Sequence, residues 1–336
     1  MIFRGILALF MPIIVGLQFS SCAFMPSKSN CLEPQNNLII NRIPYDFTAE
    51  VQVPSIKVNE RCGFFGGPFY DADNKAIEVD EFIIGRYQVT YELWFIVRVW
   101  GERNGYEFSN AGCEGTSDKD GMVPTLPKFG SNLSSKYQPV TNVNWRDAIV
   151  WCNALSECLG LTPVYYSDAA YKNPLRQSSA SHSITPNIEG SIDCPFVMSN
   201  ELGNHDVNKC TANGYRLPTE QEWEAAARGA DTESSEWQCK FSGSNSAETT
   251  AWHFDNSKGG THLVGQKAPN SLGIYDMCGN VCEWCWEWYT STSKGRVKRG
   301  GAWGYHANRC TVYERDSNFP YHVSHRCGFR FARNVR

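Results

Sequence analysis

The chain has 336 residues, a formal net charge of −4, 13% aromatic residues and 14 cysteines. This length is enough for one large domain or two small ones, each with a substantial core. A slightly acidic chain without a basic block excludes nucleic acid as an expected partner. The aromatic residues, which include 11 tryptophans, favour a domain of short strands and loops held by packed rings.

The N-terminal residues have the pattern of an export signal. An apolar run from Ile6 to Leu17 is too short to span a bilayer, and Ser20-Ser21 lead into a cysteine. Small residues before a cysteine resemble a bacterial lipobox, although Phe19 replaces the usual aliphatic residue. We therefore predict a lipoprotein signal peptide at residues 1–21 and lipidation of Cys22. The alternative is an ordinary signal peptide followed by an unrelated cysteine.

A lipid on Cys22 would anchor the protein to a membrane leaflet without a spanning helix. We expect an exported, lipid-anchored protein of the outer membrane that faces the cell surface. Export permits disulfides, but lipidation leaves an odd number of cysteines, so at least one stays free or pairs between chains. Spacing does not determine the pairing. Cys282 and Cys285 have C-x-x-C spacing without a second such pair, so a zinc site is not expected.

The first folded elements follow a polar stretch. Residues 22–60 are predicted to be a tether and the strand that leads into a domain spanning residues 61–336. A strand that begins at Phe82 ends at Thr90, which is a good N-cap. Apolar residues then recur at helical spacing as far as Gly101, so we predict a helix there.

The middle of the chain contains two more predicted helices and a long insertion. Asn144 follows a short strand and opens the second helix, with Asp147 in its first turn. Residues 166–210 lack periodicity, and we interpret them as an insertion that lies over the domain. Thr219 and Glu222 form a predicted capping box for the third helix. Few helices, short strands and long loops indicate the α+β class.

The terminal segment, residues 299–330, has framework residues at its ends and a different composition between them. Gly300-Gly301 permits a tight turn, and Gly328-Phe329-Arg330 is predicted to lie on a short terminal strand. In between, neither helical nor strand periodicity is sustained, and side chains that stack, donate and accept are dense, as in a binding surface. The candidate ligand-binding residues, which together we call the terminal face, are Tyr305, His306, Asn308, Arg309, Tyr313, Asp316, Asn318, Phe319, Tyr321, His322, His325 and Arg326.

The residue types missing from the terminal segment are also informative. Between Gly304 and Cys327 there is no Lys, Gln, Met or Trp, and the only Glu is Glu314. These five types cannot be reached from an Asn codon ending in a pyrimidine when only its adenines change. The bias is what adenine-directed mutagenesis would leave, and chance in a short window is the alternative.

Several strings of the sequence together resemble the sulfatase-modifying-factor family, whose best-known member is the formylglycine-generating enzyme. They cover most of residues 60–336 in the family's order. The resemblance implies an elaborated C-type-lectin fold that brings the domain's chain ends together and presents a broad, shallow face. The matching strings are Phe82-Ile83-Ile84-Gly85, Val89-Thr90, Pro139 to Trp145, Gly214 to Glu220, Glu222-Trp223-Glu224, Asn270 to Trp284, Arg299-Gly300-Gly301 and Gly328-Phe329-Arg330.

The same resemblance offers an enzymatic function, which the residues disfavour. Oxidase members bind copper through two cysteines that lie five residues apart after the Gly-Gly pair. Cys310 stands at the second of these positions, but Tyr305 stands at the first, and a phenol is a poor ligand for a soft metal. Phe331 also occupies a neighbouring position that is often cysteine. We therefore predict no catalytic residues, and keep a copper-dependent formylglycine-generating oxidase as the alternative.

Another branch of the family fits better. The variable proteins of diversity-generating retroelements, such as the Treponema variable protein A type, have their last segment rewritten by adenine-directed mutagenesis on a constant framework. The resemblance implies a surface-displayed lipoprotein that binds a protein or glycan through a hypervariable face. Non-variable members can also be rich in Asn and Arg here, and a catalytically inactive structural lipoprotein is a further alternative. The matching framework residues are Arg299-Gly300-Gly301, Trp303, Cys310, Arg315, Pro320 and Gly328-Phe329-Arg330.

A calcium site is predicted in the turn that precedes the terminal segment. Asp276, Glu283 and the carbonyls of Gly279 and Val281 would supply hard oxygen ligands of the kind that calcium prefers. Family members bind calcium at the matching residues. The alternative is a turn whose two carboxylates accept backbone amides. The calcium would be structural, and no cofactor is required.

Overall fold

The computed structural model describes residues 49–58, 78–115, 137–179 and 183–335. The predicted signal peptide, Cys22 and most of the tether lie outside the described residues. Within them, no helix is both long enough and apolar enough to cross a membrane. The four α-helices of the described residues are α1 (Tyr91–Arg103), α2 (Trp145–Cys158), α3 (Glu220–Ala227) and α4 (Ala247–Thr250).

The described strands are short, as the α+β class predicts. They are β1 (Glu50–Val53), β2 (Ile56–Lys57), β3 (Glu78–Val79), β4 (Phe82–Gly85), β5 (Cys113–Glu114), β6 (Val140–Thr141), β7 (Tyr165–Tyr166), β8 (Phe196–Val197), β9 (Ala251–Trp252), β10 (Cys278–Gly279), β11 (Cys282–Trp288), β12 (Arg296–Arg299), β13 (Arg315–Asn318), β14 (Cys327–Gly328) and β15 (Ala332–Asn334).

The three predicted helix starts are confirmed, and each has the side-chain cap that the sequence indicates. The hydroxyl of Thr90 accepts a hydrogen bond from the backbone of Leu93 at the start of α1. Asn144 with Asp147, and Thr219 with Glu222, form reciprocal capping boxes on α2 and α3. A cap of this kind stabilises a helix by about 1 kcal/mol, because it satisfies backbone donors that the helix leaves open.

The first and last strands of the domain lie on either side of β4. β1 and β15 both pair with β4 in antiparallel fashion, in a sheet of order β1-β4-β15. This pairing brings the two ends of the domain together, as the family resemblance implies.

A second sheet carries the terminal segment. Its order is β13-β12-β11-β14, with β14 parallel to β11 and the other neighbouring pairs antiparallel. Among the described strands β13 is therefore an edge of this sheet, with one side unpaired. The sheet thus holds a strand from within the terminal segment and another from its end.

The expectation of one terminal strand through Gly328-Phe329-Arg330 is wrong. The chain leaves the second sheet after Gly328 and enters the first sheet at Ala332, so Phe329 and Arg330 cross between the two. Phe329 lies edge-on to two stacked core rings, Trp94 and Trp151, with centroids 6.0 and 5.3 Å away. Burial of both side chains, and not strand pairing, therefore fixes this crossing.

In the part that the structure describes, residues 166–210 contact the rest of the domain at several points. β7 and β8 pair in antiparallel fashion, and the insertion supplies Asp193, which is buried. Its carboxylate accepts two hydrogen bonds from Arg146 of α2, at 2.8 Å each. This buried ion pair ties the insertion to the core.

Candidate functional site

The turn that opens the terminal segment depends on glycine. Gly301 has a positive φ of 68°, and a Cβ there would lie 2.0 Å from the carbonyl oxygen of Arg309. The chain then makes a short 3₁₀ turn at Ala307–Arg309 before reaching the edge strand β13. The start of the terminal segment at Gly301 therefore packs closely against the backbone of Arg309.

All of the predicted ligand-binding residues lie in the described part of the chain, and none of them is buried. His306, Asn308, Arg309, Phe319 and His322 are exposed, and the other members of the terminal face are half-buried. The buried residues of the same stretch are Cys310, Thr311, Val312 and Pro320. The terminal segment therefore contains a few buried residues, which hold it against the core, and a larger group that solvent can reach.

The first part of the terminal face is organised around Tyr305. The guanidinium carbon of Arg309 lies 4.8 Å from the centre of its ring, and that of Arg326 lies 5.6 Å away. Arg326 also lies over Trp303, at 5.3 Å. Partial burial raises the pKa of Tyr305, so it remains a neutral phenol at physiological pH. Aromatic area flanked by two cations favours acidic or polar groups in a partner.

A charged pair crosses the base of the face. Lys298 of β12 is only 5% exposed and donates to a carboxylate oxygen of Asp316 at 3.2 Å. Burial lowers the pKa of Lys298, but the neighbouring thiols of Cys282 and Cys327, together with Asp316, outweigh it and the pKa is raised. Lys298 therefore stays charged and orients Asp316, whose carboxylate also lies 3.8 Å from Arg309.

The second part of the face consists of stacked rings. Phe319 and Tyr321 stack with centroids 5.5 Å apart, and Arg146 lies 5.7 Å from the ring centre of Tyr321. Next to them, partial burial lowers the pKa of His322, and the charge of Lys298 acts in the same direction. His322 is therefore neutral at physiological pH and can both donate and accept.

The structure adds two residues that the sequence analysis missed. Phe254, which is 54% exposed, contacts His306 edge-on with ring centroids 4.9 Å apart, and Asp255 lies 3.7 Å from the same imidazole. The backbone amide of Phe254 donates to the carbonyl of Tyr305 at 2.8 Å. Because Phe254 is about 50 residues earlier in the chain, no local pattern could have placed it on this face.

The carbonyls of Gly279 and Val281 converge with the carboxylate of Glu283, but Asp276 joins them through its backbone carbonyl instead of its carboxylate, and a side chain occupies their common position. The amide nitrogen of Gln88 donates to the carbonyls of Val281 and Asp276 at 2.9 and 3.0 Å, and to Glu283 at 2.9 Å. The Gly279 carbonyl is 3.4 Å from the same nitrogen. The oxygen of this amide has no hydrogen-bond partner among the described residues. A cation at this position requires the Gln88 side chain to withdraw, because its amide nitrogen occupies the point where the oxygens converge.

Both predicted carboxylates already have donors. Asp276 accepts the backbone amide of Gly265 at 2.7 Å, and burial raises its pKa to about 6. Glu283 accepts two hydrogen bonds from Arg330 and one from the indole of Trp223. Arg330 thus compensates the charge of Glu283, while the carboxylate of Asp276 has only a backbone donor among the described residues, and calcium stays a prediction.

The positions that correspond to the oxidase cysteines do not form a reactive pair. Cys310 is fully buried, and burial raises its pKa to about 12, so its thiol stays protonated. Its Sγ lies 3.6 Å from the carbonyl oxygen of Ala302. The ring of Tyr305 packs against Arg309 and Arg326 instead. A protonated, inaccessible thiol is a poor nucleophile and a poor metal ligand.

Comparison with known proteins places this geometry in a family. Residues 50–335 match the Sulfatase-modifying factor enzyme 1-like domain. The chain is 31% identical over 251 residues to the protein named Chaperone protein LppX of Paenibacillus barcinonensis, covering 68% of this chain and 72% of that one. It is 28% identical over 264 residues to the Formylglycine-generating enzyme of Mus musculus, covering 68% of this chain and 64% of the enzyme.

The relatives also include a protein named as inactive. Inactive C-alpha-formylglycine-generating enzyme 2 of Bos taurus is 34% identical over 142 residues, covering 37% of this chain and 45% of its own. Similarity to these relatives is therefore compatible with both an active and an inactive protein.

Two solved structures are similar over most of the chain. CarF superposes with a TM-score of 0.66 and 26% identity, covering 86% of this chain and 99% of its own. Treponema denticola variable protein 1 superposes with a TM-score of 0.60 and 30% identity, covering 85% and 95%. The predicted α+β class and its C-type-lectin-like fold are confirmed.

Proposed function

Because the chain belongs to the Sulfatase-modifying factor enzyme 1-like family, and resembles a variable protein within that fold, we propose that it is a binding protein. It would take a protein or glycan ligand at the terminal face, in the manner of a receptor or adhesin. The face would be diversified by a retroelement, and lipid on Cys22 would display it at the cell surface.

One observation carries this proposal: the residues that fix the two ends of the terminal segment are not members of the terminal face. Arg299, at the start of the terminal segment, is fully buried and donates to Glu220 at 3.0 Å, to Glu224 and to the carbonyl of Val312. At the other end, Arg330 is buried against Glu283. Both ends are fixed by residues that the face does not include, so its side chains can change while the backbone is held.

The composition of the face supports binding more than catalysis. Tyr305, Phe319 and Tyr321 offer aromatic area with few rotatable bonds. His306, Asn308 and Arg309 are exposed and offer polar groups that select a partner. The oxidase alternative would need a second accessible thiol, and Tyr305 occupies that position while Cys310 is buried.

The binding experiment uses a face variant and a matched control. We expect the purified protein to bind members of a glycan array or of a panel of extracellular proteins. Changing His306, Asn308, Arg309 and Phe319 to alanine should weaken that binding at least tenfold, because exposed contact residues dominate affinity. The control variant changes the exposed residues Lys172, Glu201, Leu202 and Lys209 to alanine and should bind as before.

Two outcomes would contradict the proposal. One is binding that the face variant retains in full. The other is copper uptake with conversion of cysteine to formylglycine in a peptide substrate, enhanced when Tyr305 is changed to cysteine. In the genome, we expect a near-copy of the DNA for the terminal segment beside a reverse transcriptase, with adenines at the differing positions.

A further inference from the structure

Two cysteines meet where the terminal face ends. Cys327 directly follows Arg326, the last residue of the face, and begins β14. β14 pairs in parallel with β11, and Cys282, the first residue of β11, is the direct register partner of Cys327. The backbone amide of Cys282 donates to the carbonyl of Arg326 at 2.9 Å. This hydrogen bond holds the two strands together next to the two cysteines.

The geometry of this pair suits a covalent bond. Register partners on neighbouring strands project to the same side of a sheet, and Cys282 and Cys327 are both buried in the same core cluster, at 4% and 0% exposure. Neighbouring strands lie about 4.8 Å apart, which is within the range of about 4.4–6.8 Å between the Cα atoms of disulfide-bonded cysteines.

The two thiols also meet directly. Their side chains are close enough to share a hydrogen bond. When one of the two forms a mixed disulfide with an oxidant, the other is therefore in place to displace the leaving thiol and close the bond.

We propose that Cys282 and Cys327 form a disulfide that ties the end of the terminal segment to the framework strand β11. Each cysteine loses a proton and an electron, and a disulfide-class oxidant such as oxidised glutathione is reduced to two thiols. The bond closes a loop that contains the whole terminal face. It holds one end of this segment covalently, while the buried ion pairs of Arg299 hold the other.

The disulfide does not depend on ligand binding. If the bond forms but nothing binds to the face, the disulfide is unaffected and only the proposed function fails. If the face binds a ligand while the two thiols are free, only the disulfide fails.

The test maps the bond in the full chain refolded with reduced and oxidised glutathione. Free thiols are blocked with N-ethylmaleimide in denaturant, and trypsin then releases the peptide Cys327–Arg330, whose sole cysteine is Cys327. We expect this peptide to be joined to the peptide of residues 268–294, and to appear alone only after reduction. Fragmentation of the joined species should place the link at Cys282.

Matched variants separate this bond from others. Cys285 lies on the same strand and is equally buried, but it belongs to the other core cluster. Cys285→Ser should keep the link, and Cys282→Ser should abolish it. Complete blocking of Cys327 in the unreduced wild-type protein, or a link from Cys327 to Cys278 or Cys285, would overturn the proposal.

Discussion

The buried pair of Arg330 and Glu283 shows how a single residue supports the whole site. Arg330 donates to Glu283 through Nε and Nη2, at 2.7 and 2.8 Å, and to the carbonyls of Gly85 and Tyr275 at 2.9 Å. It therefore joins the first sheet, the predicted calcium turn and the end of the terminal segment. Removing one partner of such a pair leaves a buried charge without compensation.

We predict that Arg330→Met destabilises the fold by about 3–5 kcal/mol, because Glu283 would then be buried as an uncompensated carboxylate. Urea unfolding measures the change. The control is Lys209→Met, which breaks the exposed pair with Glu201 and should cost only about 0–1 kcal/mol. Equal losses in the two variants would show that the buried pair is not a support.

A second residue-scale prediction concerns pH. Burial raises the pKa of Glu287 to about 8 from its ordinary value of 4.5, and the carboxylate of Glu220 adds to the effect. The folded state therefore binds a proton that the unfolded state releases, so the stability that this proton confers is present below pH 4.5 and is lost as pH rises through 8. We expect the melting temperature to fall between pH 5.5 and 8.5.

Glu287→Gln should flatten this fall, because a neutral amide has no proton to release. Glu233→Gln, in an exposed loop, is the control and should leave the pH profile unchanged. An unchanged profile in Glu287→Gln would show that other groups cause the pH dependence.

At the scale of elements, the turn at Gly300-Gly301 decides where the terminal segment goes. Gly301 combines a positive φ with a backbone oxygen 2.0 Å from where a Cβ would stand. Backbone cannot move aside as a flexible side chain can, so the turn requires glycine for two separate reasons.

We predict that Gly301→Ala destabilises the protein by about 3 kcal/mol or more, through conformational strain and a steric clash together. Gly160→Ala is the matched control, because Gly160 has a similar φ of 71° but open space around its Cβ position. It should cost about 1–2 kcal/mol. Thermal unfolding of both variants measures the two stability losses. Similar losses would show that the backbone of Arg309 moves away from the new Cβ at little cost.

The molecule as a whole separates support from contact. Buried arginines, capped helices and packed tryptophans fix the backbone, while His306, Asn308, Arg309, Phe319 and His322 of the terminal face are exposed. We predict that the alanine variant at His306, Asn308, Arg309 and Phe319 keeps its melting temperature within about 4–8 °C of wild type, since four exposed substitutions of about 0.5 kcal/mol or less each cost about 2 kcal/mol at most. Loss of folding would mean that the face is structural.

The predicted calcium turn also depends on the fold of the whole molecule, because it joins Gln88 to residues nearly 200 positions later. We propose that calcium, when present, displaces the Gln88 amide from the point where the oxygens converge and is held there by Glu283 and the neighbouring carbonyls. Calcium chloride should then raise the melting temperature relative to EDTA, because binding to the folded state alone stabilises it. Glu283→Gln should remove that difference, and magnesium is the control ion. No difference in the wild type would favour the Gln88 arrangement without metal.

Sequence alone determined the features that rest on neighbouring residues. The caps at Thr90, Asn144 and Thr219 and the glycine turn at Gly300-Gly301 follow from local hydrogen bonds and backbone sterics, which the sequence states directly. The family resemblance supplied the fold class. Composition also separated the terminal face from its framework, because accessible and packed positions favour different side chains.

Only the tertiary structure decided what meets across the chain. Phe254 joins His306, Gln88 enters the predicted calcium turn, and Cys282 lies beside Cys327, although no spacing pattern connects these residues. The crossing of Phe329 and Arg330 between two sheets was likewise hidden, because burial and ion pairing overrode the local tendency to continue a strand. Such contacts depend on how sheets and loops pack, and that packing is a property of the folded chain rather than of any one stretch of it.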